Sequence, residues 1–205
     1  MSDVLLETRN LVIKFGGVTA ADNVSLKIHA GRNMAIIGPN GAGKTTFLNI
    51  CTGWIKPTQG QVLFEGRDIT PLPPRKIVQR GVARAFQIPQ LFTEHTALEN
   101  LLIAVSARDH LRNPLMDMHA IPERDEMLHL LDMVGCADVA DTVVVELSEG
   151  QRKLIDVAVA LALKPKLLLL DEPTSGVASS EKYAIMEILI GALKEADVTS
   201  VFVEH

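Results

Sequence analysis

The stretch GPNGAGKTT, residues 38–46, restricts the possible folds of this chain more than any other feature. It contains G-x-x-x-x-G-K-T from Gly38 to Thr45, set between a short apolar run, NMAIIG, and the helix-like run KTTFLNICTG. A loop of this type needs a strand to deliver it and a helix to start from it, because the free N–H groups at that helix start converge on an anion. Gly41 and Gly43 let backbone N–H groups approach phosphate oxygens, Lys44 supplies a point charge for the β- and γ-phosphates, and Thr45 offers a hydroxyl to Mg²⁺. Gly38, Pro39, Asn40, Gly41, Ala42, Gly43, Lys44, Thr45 and Thr46 are therefore the candidate nucleotide-binding set. A glycine-rich turn with no ligand is the alternative.

The rest of the chain extends that seed into an α/β fold. VLLETRNLVIKF and NVSLKIHAG alternate and carry β-branched residues, which predicts an antiparallel edge sheet. GQVLFEGRDI predicts a hairpin turning at Glu65-Gly66, PPRKIVQRG a short helix, and VARAFQ a strand. From 88 to 146 the pattern turns mainly helical. Thr96 and Glu99 form a capping box before LENLLIAVSA, and IPERDEMLHLLDMVG puts Met127, Leu130, Leu131 and Val134 on one face. RDHLRNPLMDMHA between them has no period and is expected to be a loop. KLIDVAVALAL is a helix stopped at Lys164-Pro165, SSEKYAIMEILIGALKEA an amphipathic helix, and VTSVFVEH a strand. This alternation of strand and helix predicts a parallel sheet with right-handed crossovers.

Two further stretches carry chemistry. KLLLLDEP is four leucines followed by two acids, which suits a strand buried on both faces with acids at its carboxyl end. Asp171 there could hold Mg²⁺, and Glu172 could orient or deprotonate a water attacking a γ-phosphate; a solvated turn is the alternative. In LSEGQRK, Ser148 stands three residues before Gln151, a second capping box at a helix start that could face an anion, or an ordinary capped helix.

Taken in order, these motifs resemble the nucleotide-binding subunits of ATP-binding-cassette (ABC) transporters across essentially the whole chain. GPNGAGKTT matches the Walker A motif, RAFQ the Q-loop, LSEGQ the family signature, LLLLDE the Walker B motif with its glutamate, and VFVEH the switch histidine. The resemblance implies a P-loop NTPase core with a parallel sheet, an antiparallel β subdomain and a helical insertion. It implies one domain over 1–205, with 1–87 and 147–205 as the core and 88–146 as the helical subdomain. It assigns Glu172, His205 and Gln87 to catalysis, Gln87 to the metal beside Thr45 and Asp171, and Phe15 to adenine stacking. Ser148, Gly150 and Gln151 would face the γ-phosphate of a second ABC ATPase subunit paired head to tail. ATP and Mg²⁺ are the implied ligands, and transmembrane permease subunits the other partners.

Two departures stand out. Glu149 replaces the usual first glycine of the signature and is expected to point away from a triphosphate, and Ala178 replaces the usual aspartate of the D-loop. The stretch from Gly53 to Ala104 is similar to importers of branched-chain amino acids and related solutes. A soluble ABC ATPase outside transport, a weakly hydrolysing regulatory cassette and a P-loop small-molecule kinase are the alternatives. The formal charge of −5 disfavours a nucleic-acid partner. Cys51 and Cys136 fit reduced thiols packed as small apolar groups. MSDVLLETRN has no signal-peptide pattern, and no run reaches the roughly 20 apolar residues of a membrane span. The expectation is a cytoplasmic protein, peripheral on the inner face of the membrane through its permease. VFVEH ends directly after a strand, from which an incomplete C-terminus is expected.

Overall fold

The computed structural model describes residues 3–16, 18–108 and 123–204. The chain forms two compact units, residues 1–84, 166–172 and 198–205, and residues 85–165 and 173–197.

In chain order the strands are β1 (Val4–Phe15), β2 (Val18–His29), β3 (Asn33–Ile37), β4 (Gln59–Phe64), β5 (Arg67–Asp68), β6 (Val82–Ala85), β7 (Leu167–Asp171) and β8 (Thr199–Glu204). The helices are α1 (Lys44–Cys51), α2 (Pro74–Val78), α3 (Ala97–Arg108), α4 (Arg124–Met133), α5 (Glu149–Ala162) and α6 (Lys182–Glu195).

The first unit holds two sheets. One is antiparallel, in the order β2-β1-β4-β5. Its β4–β5 hairpin turns on Glu65 and Gly66, both at positive φ (50° and 74°), as a two-residue turn matched to strand twist requires. The second has the order β3-β8-β7-β6, with β8 parallel to both β3 and β7. Every residue of β7 is buried, which explains its near-continuous leucines. Leu6, Leu11, Leu48, Phe64, Leu169 and Val201 belong to one apolar cluster that ties both sheets to α1. Helix α1 ends at Gly53 (φ 76°), where a Cβ would lie 2.7 Å from Ile77 Cδ1 and 2.9 Å from the Leu72 carbonyl oxygen.

Strand β2 begins five residues before the run that predicts it. Ala20, Ala21 and Asp22 have little strand character of their own, but the long β1 supplies a ladder, pairing Lys14 with Thr19 and Ile13 with Ala21.

In the second unit α3, α4, α5 and α6 pack together, and Leu101, Met127, Leu131, Ile155, Leu161 and Leu189 on them are buried. Both halves of the Thr96–Glu99 capping box form. The Thr96 N–H donates to Glu99 Oε2 (2.8 Å), and the Glu99 N–H to Thr96 Oγ1 (3.1 Å). Met127, Leu130, Leu131 and Val134 are all buried, as their spacing predicts. Of the expected loop after α3, Arg108 instead closes the helix, and 109–120 lie outside the described residues. This unit takes in the whole 88–146 stretch together with α5 and α6. Cys51 and Cys136 are free and buried. Among the described residues no helix is long and apolar enough to cross a membrane.

Candidate active site

The loop from Gly38 to Thr46 leaves β3 and enters α1 in a conformation that only its glycines allow. Gly41 and Gly43 sit at φ 80° and 84°, and a Cβ on Gly43 would stand 2.2 Å from the Ala20 carbonyl oxygen of β2. Residues 40–46 and Ala20 line a cavity of about 180 Å³. Lys44 is buried, and its Nζ donates to the carbonyl oxygens of Gly38 (2.6 Å) and Pro39 (3.1 Å). Its ammonium is thus held on the loop itself, at the helix start where an anion is favoured.

Strand β7 brings Asp171 to this helix. Thr45 Oγ1 donates to Asp171 Oδ1 at 3.3 Å, joining positions 126 residues apart. The other carboxylate oxygen, Oδ2, accepts from Arg84 on β6 at 2.5 Å, and Arg84 Nη1 donates to Asn49 Oδ1 of α1, also at 2.5 Å. The Arg84 and Asp171 side chains are almost wholly buried. A buried ion pair needs further bonds to offset its desolvation, and here Asn49 accepts from Arg84 Nη1 and the Thr45 hydroxyl donates to Asp171 Oδ1. The arrangement fixes Asp171 so that Oδ1 stays beside the Thr45 hydroxyl.

Glu172 follows at φ 48°, a left-handed backbone that is uncommon for a residue with a side chain, and its N–H donates to the Val203 carbonyl of β8 at 3.0 Å. Backbone strain of this type concentrates at functional sites. Phe15 closes β1 half-exposed, so it is not a core residue.

A hydroxyl and a carboxylate oxygen 3.3 Å apart are the hard donors that Mg²⁺ takes, and Mg²⁺ is usually held by one or two such protein groups together with substrate phosphates. Thr45 and Asp171 therefore fit that ion, and the glycine-lined cavity with Lys44 fits a phosphate chain.

The second unit carries Gln87, Ser148, Gly150 and Gln151. Ser148 caps α5 with a complete box, its Oγ accepting from the Gln151 N–H (3.2 Å) and its own N–H donating to Gln151 Oε1 (3.0 Å). Gly150 is buried, and a Cβ there would lie 2.9 Å from Ile185 Cδ1, so glycine lets α5 approach α6. Glu149 is exposed, with its Cγ beside Gly176. Ala178 is exposed, and its carbonyl accepts from the N–H groups of Glu181 and Lys182. His205 lies outside the described residues.

Sequence reasoning missed Arg84, Asn49, Lys153 and Asp156. A single arginine inside the strand-like run VARAFQ was the one signal for Arg84. Lys153 and Asp156 stood out only as charges on what is otherwise the apolar face of KLIDVAVALAL.

The sequence model described as ABC transporter matches residues 21–175. A probable branched-chain amino acid transport ATP-binding protein, LivG, of Methanocaldococcus jannaschii is 37% identical over 98% of this chain and 80% of its own. The high-affinity branched-chain amino acid transport ATP-binding protein BraF of Pseudomonas aeruginosa is 36% identical over 100% of this chain and 83% of its own. A solved ATP-binding cassette of an ABC transporter in its ADP conformation superposes with a TM-score of 0.84 at 33% identity, covering 100% of this chain and 82% of that one.

Proposed function

This chain belongs to the ABC transporter family, and from that premise we propose that it is the ATP-hydrolysing subunit of an importer for branched-chain amino acids or related solutes, attached to the membrane through permease subunits. Relatives named as branched-chain amino acid transport ATP-binding proteins support the substrate class. They favour an importer over a non-transport cassette, a regulatory cassette or a small-molecule kinase.

The observation that carries the ATPase reading is the hydroxyl of the exposed Thr45 bonded to the buried Asp171–Arg84 pair at the end of the glycine loop, with Glu172 next in the chain. ATP would lie with its phosphates on the N–H groups of residues 40–46 and with Lys44 against its β- and γ-phosphates. Phe15 would stack on adenine. Thr45 and Asp171 would hold Mg²⁺, with Gln87 in a metal-contacting role. When bound, Mg²⁺ neutralises developing phosphate charge. Glu172 would orient a water for in-line attack and take its proton, giving ADP and phosphate.

Ser148, Gly150 and Gln151 would serve the nucleotide of a second cassette, and His205 would act as the switch residue beside the γ-phosphate. Two chains would then close around ATP and separate after hydrolysis, because ATP favours the closed pair more than ADP does. The test is the mass of the Glu172→Gln protein by light scattering, with and without Ser148→Arg. A pair that needs ATP and is lost with the arginine is expected. A Glu172→Gln chain that stays single with ATP bound contradicts the pairing of two copies.

A further inference from the structure

Residues 86–95 form no helix or strand, so their backbone polar groups need partners from elsewhere. Two buried charged side chains of α5 supply them. Asp156, 5% exposed, accepts from the Phe86 N–H at Oδ2 (2.9 Å) and from the Gln90 N–H at Oδ1 (3.1 Å). Lys153, 3% exposed, donates from Nζ to the Gln87 carbonyl at 2.7 Å. Burying two charges is costly unless each is bonded, so their use on loop backbone marks a constraint that ordinary packing does not need. Asn100 of α3 pins the far end, accepting from the Phe92 N–H (2.8 Å) and donating to the Phe92 and Thr96 carbonyls (3.1 and 2.8 Å). The side chains between these anchors, Gln87 and Ile88, are exposed. The backbone is fixed and the side chains are presented.

Lys153 and Asp156 stand on the same helix that Ser148 caps, five and eight residues beyond it. We propose that Lys153 and Asp156 are positioning residues that fasten the Gln87 loop to this helix, so that Gln87 and the Ser148 loop shift together when nucleotide binds. The proposal rests on the ATPase reading above and adds a coupling element to it. Gln87 would report on this chain's own nucleotide and the Ser148 loop on its partner's, so one helix would carry information between two nucleotides.

The test is amide hydrogen exchange on the whole chain, wild type and Asp156→Ala, with and without ATP, alongside steady-state ATPase. In Asp156→Ala, exchange across 86–90 is expected to rise about tenfold or more while residues 157–162 of α5 stay protected. ATP affinity is expected to stay within about twofold and kcat to fall about tenfold, a split that simple loss of stability would not give. In wild type, ATP should protect 86–90 and 148–152 together; in the variant the two should separate. Lys153→Met, which keeps the aliphatic stem, is the second variant if Asp156→Ala does not fold, and should free the Gln87 segment in the same way. Unchanged exchange at 86–90 would overturn the fastening, and freed exchange with unchanged kcat would overturn the positioning role. Loss of protection across all of α5 would show a merely structural role. A wild-type chain without ATPase activity would instead count against the functional reading, and would show before any variant is made.

Discussion

Arg84 Nη2 lies 2.5 Å from Asp171 Oδ2, an ion pair closed off from water and made by residues 87 positions apart. Arg84 is also bonded to Asn49, so one guanidinium joins β6, β7 and α1. Replacing it strands a buried carboxylate. Arg84→Ala should cost about 3–5 kcal/mol of unfolding free energy. Arg84→Lys should recover little of that, because a single ammonium lacks the planar fork that reaches two partners at once. Urea unfolding measures both; a loss below about 1 kcal/mol for Arg84→Ala would show that the pair does not hold the site together.

Gly43→Ala should abolish nucleotide binding without unfolding the chain. The added methyl must avoid the Ala20 carbonyl, which lies 2.2 Å from where it would stand, at a φ of 84° that alanine disfavours. Isothermal titration with ATP measures it. Gly41 has open space around its missing Cβ, so Gly41→Ala should weaken binding less.

Much of this was legible in the sequence because it is local. The glycine loop, both capping boxes, the leucine run of strand β7 and the α4 face follow from residues a few positions apart. The relation of Thr45 to Asp171 was legible only as two motifs, and the structure supplies the distance. Arg84, Lys153 and Asp156 were not legible, because their partners lie 35 to 87 residues away and nothing local marks a buried charge as paired. The early start of β2 was missed for a similar reason: the strand is dictated by the ladder β1 offers.

The capping box of α3 should leave a signature in acid. The Thr96 N–H, and then the nearby His95, hold the Glu99 carboxyl below its ordinary value of 4.5. A depressed folded value means that the charge stabilises the fold above the unfolded range and that this gain is lost as pH falls through the folded value. The wild type should therefore melt above Glu99→Gln at neutral pH, and the gap should close below pH 4.5. A gap that persists unchanged in strong acid would contradict this.

Both thiols should be inert in the folded chain. Burial pushes Cys51 up to about 12, and burial with the nearby Asp138 pushes Cys136 up to about 11. The thiolate is the reactive form, so alkylation at neutral pH should be slow until denaturant is added. Fast labelling of either cysteine in the native protein would contradict their buried placement.

ATP hydrolysis by this chain is proposed to depend on Glu172, which would activate the attacking water. Phosphate release from Mg²⁺-ATP, compared between wild type and Glu172→Gln with ATP affinity measured on both, tests it most directly. Release by the wild type is expected, with a fall of about 100-fold or more in the variant and unchanged affinity. A variant that releases phosphate at the wild-type rate, or a wild type that binds ATP and releases none, would contradict it.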